Sequence, residues 1–187
     1  MAIKFTSGES ADTLEKLHAL KWGDELDRLS VRSFAEEAPV TLTGSYQVDY
    51  LSVAAVAQGN LADAVQTRGQ RDMLMQGGRP VAEVELDGGG DPVALHEGPG
   101  KDGLQTALEQ AQSIPGDFDA RVVQSAPLKF SALLLEGEGK QMLIPYPPNL
   151  TPLPNGEPIS VEDALKVLQP IAAQIIEMTK DDDKIGG

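Results

Sequence analysis

Val161, Ala164, Leu165, Leu168, Ile171, Ala172, Ile175 and Ile176 recur at intervals of three and four. That spacing lines one face of an α-helix with hydrocarbon. Ser160 precedes the stripe and Asp163 follows three residues later, a capping-box-like start. A helix with one apolar stripe owes its stability to burying that stripe against another layer. The stripe therefore dictates that the upstream chain build a surface to receive it. Pro170 falls inside it and removes the N–H that would bond the Lys166 carbonyl, so a kink or a break into two helices is expected.

The receiving surface is read from residues 79–145. Pro80-Val81-Ala82-Glu83-Val84-Glu85-Leu86 alternates apolar and acidic side chains, the signature of a strand with one buried and one wet face. Asp87-Gly88-Gly89-Gly90-Asp91 turns the chain, and Val93-Ala94-Leu95 supplies a second strand, so 80–96 reads as a hairpin. Leu104, Ala107, Leu108 and Ala111 predict a short helix capped by Asp102. Strands follow at 120–124, 128–135 and 141–144, with Glu136-Gly137-Glu138-Gly139 as a hairpin turn. Ala132-Leu133-Leu134-Leu135 is apolar on both faces and reads as a central strand. Six prolines between 145 and 158 begin with Pro145, Pro147 and Pro148 and favour extended, irregular backbone.

The N-terminal part reads as helical. Leu14, Leu17, Leu20, Trp22, Leu26 and Leu29 predict a helix over 11–29 behind Ser10. Residues 44–58 fit either element: Tyr46, Val48 and Tyr50 alternate like a strand, while Tyr46, Tyr50, Val53, Ala54 and Ala57 fall at helical spacing. The alanines and the length favour helix. Asn60 is expected to cap a further short helix through Leu61, Ala64 and Val65. The expected fold is α+β: a mostly antiparallel sheet over residues 79–145, with N-terminal helices and the C-terminal helix packed on one face of it. Residues 1–179 are expected to form one domain, and 180–187 a polar tail.

Composition restricts the chemistry. The chain has no cysteine, which excludes thiolate catalysis, iron–sulfur clusters and cysteine zinc sites. A chain of 187 residues buries roughly 70% of its unfolded surface, so no disulfide or metal is required for folding. A net charge of -14 disfavours nucleic acid and anionic membranes as partners. No stretch approaches a membrane span or a secretory leader, and a cytoplasmic location is the expectation.

Motifs are sparse. Gly98-Pro99-Gly100-Lys101-Asp102-Gly103 matches G-x-G-x-x-G, but it sits in the most acidic region and not in a leading βαβ unit. It reads as a loop. His18 and His96 are the only histidines and belong to no metal-binding pattern, so neither a metal nor another cofactor is expected. Ser125 and Ser131 lie near strands and His96 could serve as a base for a serine nucleophile, but there is no G-x-S-x-G elbow. Arg68, Arg71 and Arg79 stand close together in an acidic chain and could anchor an anionic ligand or pair internally. Tyr146, on the proline loop, is a recognition residue if exposed and a core residue if turned inward.

Three functional expectations follow. The first is a non-enzymatic interaction or accessory protein that meets a protein partner through an acidic face; Glu83, Glu85, Asp87, Asp91, Glu97 and Asp102 concentrate there against Lys101 alone. The second is a small-ligand-binding protein, or a metal-independent enzyme, with a pocket between the sheet and the helices and Arg68, Arg71, Arg79 or His96 as polar anchors. The third is an acidic mimic of nucleic acid that blocks a basic site.

Overall fold

The computed structural model describes residues 3–5, 40–61 and 65–185, with backbone only at 3–5, 43–44, 66–68, 99 and 181–185. The elements are β1 (Ile3–Phe5), β2 (Val40–Leu51), α1 (Val53–Ala57), β3 (Val65–Gln76), β4 (Arg79–Leu86), β5 (Pro92–His96), α2 (Pro99–Ser113), β6 (Phe118–Ser125), β7 (Phe130–Gly137), β8 (Lys140–Pro145), β9 (Ile159–Ser160) and α3 (Val161–Ile185). The helix expected over 11–29, with His18 and Trp22, lies outside the described residues.

The strands form one mostly antiparallel sheet in the order β5-β4-β3-β2-β6-β7-β8-β9, and β1 pairs with β6. The fold is α+β. Two meanders, β2 to β5 and β6 to β9, are joined where β2 runs parallel to β6 through Val48, Asp49 and Tyr50. The sheet includes β1 at Ile3–Phe5 and its continuous run starts at Val40, well before residue 79. Residues 44–51 are strand, contrary to the helical expectation, and only Val53–Ala57 form a helix, capped by the Ser52 hydroxyl. No helix runs through Val65, where β3 already begins.

Helices cover both faces, not one. On one face α1 and α3 pack Val56, Ala164, Leu168 and Ala172 against Leu51, Val123, Phe130, Ala132, Leu134 and Leu143. On the other, Leu104, Ala107 and Ala111 of α2 pack against Tyr46, Val48, Met73, Val122, Leu133 and Leu135. The reason lies in β7. Leu133 and Leu134 point to opposite faces by strand alternation, and both are buried, so both faces need a cover.

The ends of the elements follow local chemistry. Ser160 Oγ accepts the Asp163 N–H at 3.1 Å, which completes the expected cap of α3. That helix runs as a single element through Pro170 to Ile185, rather than dividing in two; Leu168 and Ala172, fully buried on either side of the proline, hold the interrupted turn against the sheet. In α2 the N-cap is Gly98 and Pro99 takes the first helical position; Asp102 lies within the first turn instead of capping it. No helix among the described residues is long and apolar enough to cross a membrane.

Candidate functional site

The face that carries α2 also carries a run of polar side chains. Tyr50 on β2, Arg71 on β3, Glu83 and Glu85 on β4, and His96 on β5 occupy adjacent strands and form one network. Arg71 Nη1 donates to Glu83 Oε2 at 3.3 Å, and Nη2 donates to Glu85 Oε2 at 3.2 Å and to the Tyr50 hydroxyl at 3.0 Å. His96 Nε2 lies 2.9 Å from the same Glu85 oxygen. The guanidinium stands 6.0 Å from the Tyr50 ring centre, within cation–π range.

Burial alone would lower the Arg71 guanidinium, yet the surrounding Tyr50, Glu83, Tyr46 and Glu85 outweigh it and hold it above its ordinary value. Burial pushes the Glu85 carboxyl up, but the bond to His96 and the Arg71 charge more than offset this, leaving it below the usual range. Burial also raises the hydroxyls of Tyr46, Tyr50 and Tyr146.

Above this network opens a cleft of about 510 Å³. Tyr50, Arg71, Glu83 and His96 line one part of it. Gln124, Ser125, Phe130 and Ser131, from β6 and β7, line another. The rim is built by the first turn of α2 (Gly98, Gly100, Lys101), the β6–β7 turn (Ala126, Lys129) and the proline loop (Pro148, Leu150). Leu150 is 73% exposed, an apolar side chain held on the lip. Two glycines set the approach of α2 to this loop. A Cβ on Gly103 would stand 2.9 Å from the Pro147 carbonyl oxygen and 3.0 Å from the Tyr146 ring, whereas one on Gly100 would make an ordinary 3.7 Å contact with Pro148. The glycine-rich motif thus opens a helix, where a loop was expected, and Gly103 serves close packing.

The anticipated anchors separate. Arg71 lies in the cleft wall. Arg79 begins β4 at the β3–β4 turn, exposed and opposite Gln76. The backbone of Arg68 pairs with Asp49 in β2, and its side chain lies outside the described residues. Arg71 and Arg79 thus serve different places, a cleft wall and a turn. Tyr146 is 1% exposed, turned inward beneath the loop, so it is not a surface recognition residue. His96 and Ser131 both line the cleft but stand five strand intervals apart, roughly 24 Å along the sheet at the usual spacing. His96 is occupied by Glu85, and no serine–histidine pair forms there. Among the described residues no three metal-ligating side chains gather.

Sequence reasoning overlooked Tyr50, Gln124, Lys129 and the partnership of Glu83 and Glu85 with Arg71. One signal was available: two acids two residues apart inside an apolar strand share a face, and the same sequence holds an arginine on a neighbouring segment. No protein-family model matches the chain, and neither a curated protein nor a solved structure matches it.

Proposed function

We propose that this chain is a small-ligand-binding protein that holds its ligand in the cleft between the sheet and α2. The observation that carries this reading is the cleft itself: about 510 Å³, walled by Tyr50, Phe130, Pro148 and Leu150, with a few polar groups fixed by their own hydrogen bonds. Cavities of roughly 300–1,000 Å³ with an apolar lining and few polar anchors are the usual size for organic ligands. Because the Arg71 network is already assembled, binding needs little reordering of the floor, and that saves affinity.

A protein partner on the acidic stretch 83–102 is supported less well. Glu83 and Glu85 are engaged by Arg71, Asp87 Oδ1 accepts the N–H groups of Gly89 and Asp91, and Asp102 pairs with Lys101. Much of that charge is used within the fold.

A thermal-shift screen of organic acids, amines, sugars and nucleotides tests the proposal. A ligand at a hundred times its dissociation constant is expected to raise the melting point by roughly 5–10 °C. Ala126→Trp, at an exposed position on the lip, is expected to abolish that shift without lowering the protein's own melting point. If no compound shifts the wild type, or if every shift survives Ala126→Trp, the reading fails.

A further inference from the structure

The cleft holds several charged side chains, and the fold spends most of them on one another. Arg71 Nη1 donates to Glu83 Oε2, and Nη2 donates to Glu85 Oε2 and to the Tyr50 hydroxyl. The Arg71 and Glu83 side chains are only 9% and 7% exposed. His96 Nε2 meets the same Glu85 oxygen at 2.9 Å, and Lys101 Nζ lies 2.9 Å from Asp102 Oδ2. The two other charged residues of the lining, Glu97 and Lys129, are exposed to water and opposite in sign.

This arrangement sets a penalty on ions. A carboxylate can reach the Arg71 guanidinium only by displacing Glu83 or Glu85, which leaves an acid of the wall unpaired. An ammonium can reach Glu83 only by displacing Arg71. Each leaves water to enter a site whose buried charges already have partners, and breaking a buried pair is costly. An uncharged molecule disturbs neither partner. The rest of the wall suits one. Gln124, Ser125 and Ser131 are polar without charge, and Tyr50, Phe130 and Pro148 present hydrocarbon. Of the large apolar side chains left exposed among the described residues, Val93, Leu150 and Met178, only Leu150 borders the cleft. An apolar side chain held open at the mouth of a cavity gains by being covered.

We propose that the cleft selects an uncharged organic molecule. Its apolar body lies along Tyr50, Pro148 and Leu150, and its polar end is a hydroxyl or amide that shares hydrogen bonds with groups already paired. This rests on the ligand-binding reading above and adds the chemical class.

The test compares three probes with one apolar body at neutral pH and physiological salt: 4-phenylbutanol, 4-phenylbutyrate and 4-phenylbutylamine, which are uncharged, anionic and cationic. Binding to the full chain is followed by calorimetry and by ¹⁵N–¹H spectra. The alcohol is expected to bind at least about tenfold more tightly than either ion, with the largest shifts at the Gln124, Ala126 and Leu150 amides. Glu85→Gln releases one arm of Arg71 and is expected to strengthen the acid about fivefold relative to the alcohol. Asp102→Asn, at a side chain 67% exposed and so harmless to folding, releases Lys101 and is expected to move the same ratio roughly twofold. An acid or amine that equals the alcohol in the wild type overturns the uncharged class but leaves the cleft as a ligand site. A ratio that neither variant moves overturns the pairing of charges as its cause. Shifts that bypass the cleft overturn the position. If none of the three binds, the uncharged class falls, and the broader reading then stands or falls by the screen described above.

Discussion

Arg71 and Glu83 lie diagonally across β3 and β4, 3.3 Å apart, each more than nine-tenths buried. A pair this far from water draws little net stability from its attraction, because both charges have been desolvated, but it is costly to break. Arg71→Met leaves Glu83 charged and buried and is expected to cost about 3–5 kcal/mol in urea melts. The double variant Arg71→Met, Glu83→Leu is expected to recover most of that loss. A double variant no more stable than the single one would show that Arg71 matters for something other than its buried partner.

The two glycines of α2 are expected to respond with opposite sign to alanine. Gly103→Ala gains about 1 kcal/mol of helix propensity but drives a methyl into the Pro147 carbonyl and the Tyr146 ring, both within 3.0 Å. Overpacking of this kind costs about 1–3 kcal/mol, so the net effect is a loss. Gly100→Ala finds ordinary contact distances and is expected to stabilise by up to about 1 kcal/mol. Denaturant midpoints of the two variants, measured side by side, decide the matter.

The β7–β8 hairpin closes on Glu138 and Gly139, both with positive φ, at 52° and 73°. A two-residue turn with both φ angles positive prefers asparagine and glycine. Glutamate in the left-handed region carries a strain that asparagine relieves through its own backbone. Glu138→Asn is expected to stabilise the fold by about 0.5–1 kcal/mol, read from thermal or urea unfolding.

Glu85 sets an acid-side dependence. Its folded carboxyl lies below the ordinary value of 4.5: burial opposes this, and the His96 bond and the Arg71 charge outweigh burial. A depressed folded value means that the contribution to stability is complete above the unfolded value and is lost as pH falls through the folded one. His96→Gln removes one of the two supports. The Glu85 carboxyl resonance is then expected to titrate at higher pH, and the acid limb of the stability curve to move up with it. An unmoved Glu85 titration would mean that Arg71 alone holds it down.

The sequence was most legible in short local patterns, although Glu83, on the face of β4 expected to be wet, is buried against Arg71. The α3 stripe, the 80–96 hairpin and the Glu136–Gly139 turn were all readable because a local pattern met a local rule. Residues 44–51 and 65–76 were not, because β2 and β3 are central strands whose polar residues are buried. Ser45, Asp49 and Asp72 are fully buried; Ser45 Oγ donates to Asp72, and Asp49 meets Arg121 Nε at 3.4 Å. Each partner lies 27 or more residues away in sequence, so no window reveals that these polar positions belong inside a sheet. The cleft was missed in part for the same reason. Tyr50, Arg71, Glu83 and His96 become neighbours only once β2, β3, β4 and β5 align. Arg71 was noticed for its charge, yet its proximity to Arg68 and Arg79 in sequence was misleading, since the chain uses Arg79 at a turn and Arg71 in a wall.

The parallel join between β2 and β6 is short. Only Val48, Asp49 and Tyr50 meet Val122, Val123 and Gln124 there, against seven pairs between β6 and β7. The last of those pairs, Tyr50 with Gln124, is part of the cleft wall. A molecule seated in the cleft would therefore touch both meanders at once and act as a rivet across the short junction that joins them. Its arrival would be felt less as a local contact than as a tightening of two halves into one cooperative unit, visible as slower amide exchange on β2 and β6 together.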